Sequence, residues 1–298
     1  MKKIVYLSGG IGGAKLAKGF YHSKNIDLSI IINTGDDEII HGVPLSPDID
    51  SVMYALAGIE GEMGWGLAND SFTVSDEYKN FIPQNFSIGD KDLALNLYRN
   101  QLLSEGKSLT EITKLFVEHL NLKCNLIPMT NDTVSTKLKT DDGSLLDFQE
   151  YFVEKQAKPK LAEVVYDGAK NAKVSDELII NIEESEIIVI GPSNPILSIG
   201  PILSLNKIKE KLSVHNNVYV INPFIDNKAI KGPSKNNFED LGYTSDIQGI
   251  KKFYKDVGNK YIVHPGDSDG AQDTVEQNIL FNELENSKKL VEFIVNHE

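Results

Sequence analysis

The sequence predicts an α/β protein: an open, doubly wound, mostly parallel sheet of about six strands, with a smaller inserted subdomain. Three observations carry this expectation. Apolar runs of strand length recur at residues 3–7, 28–33, 124–127, 186–190, 217–221 and 260–263. They are continuous rather than alternating, which is how strands covered on both faces read. Helical patterns with legible starts lie between them, an alternation that builds parallel sheets.

The first strand, Lys3-Ile4-Val5-Tyr6-Leu7, runs straight into Ser8-Gly9-Gly10-Ile11-Gly12-Gly13-Ala14-Lys15 and a helical stretch. Four glycines between a strand and a helix predict a backbone that approaches something closely, with bare helix N–H groups behind it. A phosphate or diphosphate is the usual occupant of such a place. The dinucleotide pattern G-x-G-x-x-G is met by Gly10 and Gly12 but broken at Lys15, and a P-loop would require Gly-Lys-Ser/Thr where Ala14-Lys15-Leu16 stands. Lys15 reads either as a cation beside the phosphates or as a solvated lysine.

Further along, Ser46-Pro47 predicts a helix start, and Ile49, Val52, Met53 and Leu56 form its apolar stripe. Gly89-Asp90-Lys91-Asp92 opens another helix, with Asp90 as N-cap and Leu93, Ala94, Leu97 and Tyr98 facing inward. Ser108 and Glu111 form a capping box ahead of Ile112, Leu115 and Phe116. Residues 60–88 hold Trp65 and further aromatics without a clear period. Residues 133–150 read as a hairpin around Asp141-Asp142-Gly143, beginning the subdomain expected over about 133–185. With no Pro/Ser-rich linker, residues 1–298 read as one catalytic unit.

Composition narrows the function. A net charge of −13 disfavours nonspecific binding to nucleic acid or an anionic membrane. An anionic ligand must then be met locally, by amides, a few basic groups or a metal ion. A single cysteine, Cys124 in an apolar run, excludes an intrachain disulfide framework and fits a reducing cytosol. No secretory or 18-residue apolar span is present, so the expectation is a cytoplasmic protein. The six histidines show no metal spacing.

In a doubly wound sheet ligands gather outside the carboxyl ends of the strands. Here those ends carry the glycine loop, Thr34-Gly35-Asp36-Asp37, Pro128-Met129-Thr130-Asn131-Asp132, Gly191-Pro192-Ser193-Asn194-Pro195 and Asn222-Pro223-Phe224. Asp48 in the first turn of its helix is explained by the helix dipole, whereas Asp50 lies off the apolar stripe. Carboxylates near phosphates repel them unless a hard cation lies between, which predicts Mg²⁺. Asp36 has the alternative of holding a ribose hydroxyl. Lys91, a cation early in a helix, sits where the dipole disfavours it.

Taken together, Ser8–Leu16, Asn33-Thr34-Gly35-Asp36-Asp37, Ser46-Pro47-Asp48-Ile49-Asp50, Gly89-Asp90-Lys91-Asp92-Leu93-Ala94 and Gly191–Pro195 resemble the motifs of the 2-phospho-L-lactate transferase family, over nearly the whole chain. That family acts in biosynthesis of the deazaflavin coenzyme F-420. The resemblance implies a Rossmann-like fold, Mg²⁺ dependence and a homodimer. It implies transfer of a phospholactyl (or phosphoenolpyruvyl-type) group from a guanosine-diphosphate-linked donor to the ribityl hydroxyl of the deazaflavin FO, releasing GMP. By position, Asp50 and Lys91 would contact FO, while Gly9, Gly10, Gly12, Lys15, Ser193 and Asn194 would face the donor. Asn131-Asp132-Thr133 departs from the Asp-Asp-Pro expected there. Joined to the residue reading, this makes Asp37 and Asp50, or one of them with Asp36, the Mg²⁺ ligands, and Asp50 and Asp37 the catalytic carboxylates. Trp65 fits either a cover for the flat deazaflavin or ordinary core packing. The alternative is a non-catalytic UDP-sugar-binding regulator from a related branch; a nicotinamide oxidoreductase is weakened by the broken glycine pattern.

Overall fold

The continuous apolar runs become a seven-stranded sheet in the computed structural model, which describes residues 1–82, 86–230 and 233–297. Its strands are β1 (Lys2–Ser8), β2 (Ile26–Ile32), β3 (Asn125–Pro128), β4 (Ile187–Ile190), β5 (Val218–Ile221), β6 (Lys260–Val263) and β7 (Thr274–Glu276). Their order is β7-β6-β5-β4-β1-β2-β3, and every neighbouring pair is parallel. The fold is α/β, Rossmann-like and doubly wound, as the sequence predicts, with one strand more than expected. From β1 the chain steps through β2 to β3, then returns to place β4 on the other side of β1. The switch point therefore lies between β1 and β4, where a crevice must open at the carboxyl ends.

Both faces of the sheet are covered, which is why its strands could be apolar throughout. On one face Ile4, Tyr6, Ile30 and Ile32 pack with Leu16 and Phe20 of α1 (Ile11–Tyr21), Val52 and Met53 of α2 (Pro47–Ala57), and Leu290 and Val291 of a C-terminal helix, Leu284–Asn296. On the other, Val5, Leu7, Ile31, Ile188 and Ile190 pack with Leu178 and Ile182 of the helix Asp176–Glu184. The same cluster takes Leu138, Leu146 and Leu161 from a three-stranded antiparallel sheet. The predicted hairpin supplies two of its strands, Ser135–Thr140 and Leu145–Asp147; Leu161–Asp167 adds the third.

Local capping follows the sequence in part. Ser108 and Glu111 form the expected box on the helix Leu109–His119. Asn131 caps the same helix, its Oδ1 accepting from Thr110 N at 2.8 Å. Ser46 stands at the start of α2, yet its hydroxyl donates to Asp37 at 2.7 Å instead of capping. Asp90 does not cap its own helix, α3 (Asp90–Ser104). It accepts from Thr73 N and Val74 N at 3.0 Å, at the start of the short helix Thr73–Tyr78. Asp70 returns the favour, accepting from Lys91 N at 2.9 Å and Asp92 N at 3.2 Å.

The larger correction concerns the orientation of α3. Leu97 and Tyr98 are half exposed, at 50% and 48%, while Asn96 and Arg99 are buried with Leu102. The helix turns a polar stripe inward because those groups find partners there, described below.

Helix α1 meets the C-terminal helix at Gly19. A Cβ there would lie 2.6 Å from Ser287 Cβ and 2.8 Å from its carbonyl carbon, so backbone would have to move. Gly19→Ala is expected to lower stability by about 1–3 kcal/mol, read from the urea midpoint; an unchanged midpoint contradicts this packing.

Candidate active site

The ends of β1 and β4 are tied together across the switch point. Gly9 N–H donates to Ser193 Oγ at 3.0 Å, and Gly191 N–H to Leu7 O at 3.0 Å. Asn194 Oδ1 accepts from Ile196 N and Leu197 N at 3.0 and 3.1 Å, while its amide donates to Asn237. Ser193 and Asn194 thus spend their side-chain groups on fastening the loop. On the facing side α1 leaves its first N–H groups, at Ile11 and Gly12, without intrahelical partners.

The glycines of this loop divide into two kinds. Cβ atoms at Gly9 and Gly10 would collide with Ser198 and with the Asp48 carboxylate. At Gly12 the nearest protein atoms would be 3.6 Å away, an ordinary contact. Protein packing therefore demands Gly9 and Gly10, but leaves Gly12 open to the crevice.

That crevice offers about 560 Å³ to water-sized molecules. Gly10, Ile11, Gly12, Ser193 and Asn194 line it, as do the carboxylates of Asp36, Asp48 and Asp50. Five aromatic rings join them, Tyr54, Trp65, Phe86, Phe148 and Phe152, of which the last two stack at 5.5 Å and 6°. Gly9 lies just outside the lining, fastened by Ser193. Lys15 is exposed and outside it. Lys91 is also exposed and outside; its Nζ donates to Ala68 O at 3.3 Å and Asn69 O at 2.6 Å, on the loop that follows Trp65. Asp37 is outside the lining too, with Oδ2 on Ser46 and Oδ1 without a partner. The predicted turns at 128–132 and 222–224 do not reach the crevice. Pro83, Gln84 and Asn85 of the aromatic 60–88 segment lie outside the described residues.

The acidic groups form a connected row. Asn33 Nδ2 donates to Asp36 Oδ1 at 3.2 Å and to Asp48 Oδ2 at 2.9 Å, so two buried carboxylates share one neutral amide. Burial, then the charges of Asp48 and Asp37, hold Asp36 well above the usual carboxylate range. Burial pushes Asp48 up to about 6, against hydrogen bonds from Asn33 and the Gly10 backbone. Burial likewise raises Asp37, with Ser46 and Arg99 opposing. Asp48 is thus part of the crevice rather than a surface residue serving the helix dipole. It is buried because the glycine loop passes directly over it.

Asp50 meets a partner that sequence reasoning missed. Arg99 Nη1 donates to Asp50 Oδ2 at 3.0 Å and Nη2 donates to Oδ1, a bidentate pair with Arg99 only 1% exposed. Burial raises the Asp50 carboxyl above its ordinary value, and the guanidinium opposes that rise through its charge and its hydrogen bonds. Asn96 Oδ1 accepts from Arg99 Nη1, and Phe116 lies 5.6 Å from the guanidinium carbon. Tyr54, Asp92 and Asn96 line the same crevice. Among the described residues, no three His, Cys, Asp or Glu side chains converge as a metal-ligand set.

The sequence matches the model of a family described as 2-phospho-L-lactate transferase CofD over residues 4–284. The chain belongs to the 2-phospho-L-lactate transferase family. A 2-phospho-L-lactate transferase of Methanococcus vannielii is 38% identical over 271 residues, covering 89% of this chain and 86% of the relative. That of Methanocaldococcus jannaschii is 37% identical over 276 residues, covering 91% and 88%. A crystal structure of a UPF0052-family protein from Bacillus halodurans shares the fold with a TM-score of 0.61 at 18% identity, covering 88% of this chain and 81% of that one. A second structure of that protein gives 0.66 at 16%, covering 99% of both chains. Among the described residues of this transferase-family chain, no helix is long and apolar enough to cross a membrane.

The raised Asp48 carboxyl fixes a pH dependence. Between its ordinary value of 3.8 and about 6 the folded protein binds the proton more tightly than the unfolded chain. Its contribution to stability is therefore greatest at low pH and lost as pH rises through 6. In chelator-treated protein, Asp48→Asn is expected to raise the melting temperature at pH 8 and to leave it unchanged near pH 4. An Asn variant that is equally destabilising at both pH values contradicts the assignment.

Proposed function

We propose that this protein transfers a phospholactyl, or related three-carbon phosphate, group from a guanosine-diphosphate-linked donor to the ribityl hydroxyl of FO, releasing GMP, in coenzyme F-420 biosynthesis. The observation that carries the reading is the mixed lining of one crevice in a member of this family: the bare N-terminus of α1, a row of buried carboxylates, and a set of aromatic rings. By resemblance to the family, the enzyme works in the cytoplasm as an Mg²⁺-dependent homodimer.

The residues fit the metal by the chemistry of their donors. Asp36 and Asp48 crowd two buried carboxylates onto one amide, a strain that a cation relieves, and all their free ligand atoms are oxygens. Asp36 and Asp48, the two carboxylates that share the Asn33 amide, would hold the ion. Asp50 suits this less well than its sequence position implies, since Arg99 occupies both its oxygens. When bound, Mg²⁺ supplies neutralisation of the donor diphosphate.

The chain's own groups do the rest by positioning. The N–H groups of Ile11 and Gly12 receive phosphate oxygens at the positive end of α1. Trp65, Phe86, Phe148 and Phe152 pack the flat acceptor and exclude water. Asp50, locked by Arg99, orients FO, and Lys91 acts on the acceptor by steadying the loop that follows Trp65. The ribityl oxygen attacks the phosphorus bearing the lactyl group, and the bond to the bridging oxygen breaks to release GMP.

Purified protein supplied with FO, the lactyl donor and Mg²⁺ is expected to yield GMP and a more acidic fluorescent deazaflavin. Nucleotide binding with FO unchanged overturns the transferase reading in favour of a non-catalytic binder. Gly12→Ala, which packing tolerates, is expected to keep the melting temperature of the parent while weakening donor binding at least about tenfold. Unchanged donor affinity in calorimetry removes the glycine loop from the donor site.

A further inference from the structure

The inward polar face of α3 has a member that the proposed reaction leaves without work. Asp92 lines the crevice one turn before Asn96 and across from Asp50 on α2. Tyr54 Oη donates to Asp92 Oδ1 at 2.7 Å, and Asn96 Nδ2 donates to the same oxygen at 3.1 Å. Both bonds fall on Oδ1; among the described residues no donor reaches Oδ2. The contrast with Asp50 is chemical. Its two oxygens are engaged by a guanidinium that does not give up its proton, which makes Asp50 a good anchor and a poor proton acceptor.

We propose that Asp92 is the general base of the transfer, its Oδ2 accepting the proton of the attacking ribityl hydroxyl. This rests on the transferase reading above. A lone pair of the hydroxyl oxygen forms the new O–P bond. The O–H electron pair stays on that oxygen as the proton passes to Asp92, and the electron pair of the broken P–O bond leaves with GMP. Asp92 then returns the proton to water.

The surroundings suit this work. Burial pushes the Asp92 carboxyl up to about 6, and the charge of Asp50 on α2 adds to it. The Tyr54 hydrogen bond and Arg99 on its own helix pull it down, while Asp70, from the loop before α3, raises it. A carboxylate that is ionised at pH 7 yet more basic than usual is well matched to accepting a proton.

The test is the pH profile of kcat with saturating donor, FO and Mg²⁺. The parent enzyme is expected to show an acid limb near pH 6. In Asp92→Asn, kcat should fall at least about 100-fold with the acid limb abolished and the KM for FO nearly unchanged. Tyr54→Phe keeps the ring and removes the donor, so the acid limb should move to higher pH. An Asp92→Asn enzyme that keeps kcat and its acid limb, in a parent that turns over, overturns the base assignment alone. A parent with no turnover overturns the transferase reading, and Asp92 with it. Should Asp92→Asn lose its thermal transition, the Tyr54→Phe profile decides: an unmoved limb overturns the proposal.

Discussion

The crevice depends on one electrostatic imbalance. Asp36, Asp48 and Asp50 are all buried, Asp37 stands beside them, and the buried Arg99 faces Asp50 and Asp37. Removing an ion from water without compensation costs several kcal/mol, so this arrangement is unfavourable in an empty protein. The metal cation proposed above would offset that cost. The switch point then adds what a phosphate needs in its own right, the unpaired amides at the start of α1. The proposed Mg²⁺ would make these acidic side chains compatible with an anion bound beside them.

The two helices that frame this chemistry divide the labour. Helix α2 sends Asp48 under the glycine loop and Asp50 toward α3, two residues apart on one turn. Helix α3 answers with Asp92, Asn96 and Arg99, and so gives part of its inward face to polar groups beside the buried Leu102. Arg99 is sheltered by Phe116 and held by Asn96, which fixes the rotamer of the guanidinium and therefore the carboxylate it grips. Reach of this kind, from packing to hydrogen bond to reacting group, explains why a polar stripe is worth burying at all.

Much of the fold was legible because strands buried on both faces have nowhere to hide their composition. Each of the six apolar runs became a strand of the central sheet with ends shifted by at most a couple of residues. The seventh, Thr274–Glu276, is short and partly exposed at the sheet edge, so it carries no apolar run. The glycine loop, the Gly191–Asn194 turn and the Asp36 and Asp50 carboxylates were visible as motifs, and the structure gathers most of them; Asp48, read as serving the helix dipole, joins them, whereas Asp37, read as a metal ligand, lies outside the lining. Arg99 was not visible. Forty-nine positions from Asp50 and flanked by Tyr98 and Asn100, it reads as a solvated helix residue. The exchange of caps between Asp70 and Asp90 was hidden for the same reason, since a carboxylate before a helix looks local even when it serves a neighbour.

The central claim is that the diphosphate and the acidic row tolerate one another through a divalent cation. Calorimetric titration of GDP into the protein, once with Mg²⁺ and once with chelator, tests it most directly. The account predicts saturable binding with Mg²⁺ and at least about a tenfold loss of affinity without it. Equal affinity in the two titrations would contradict it.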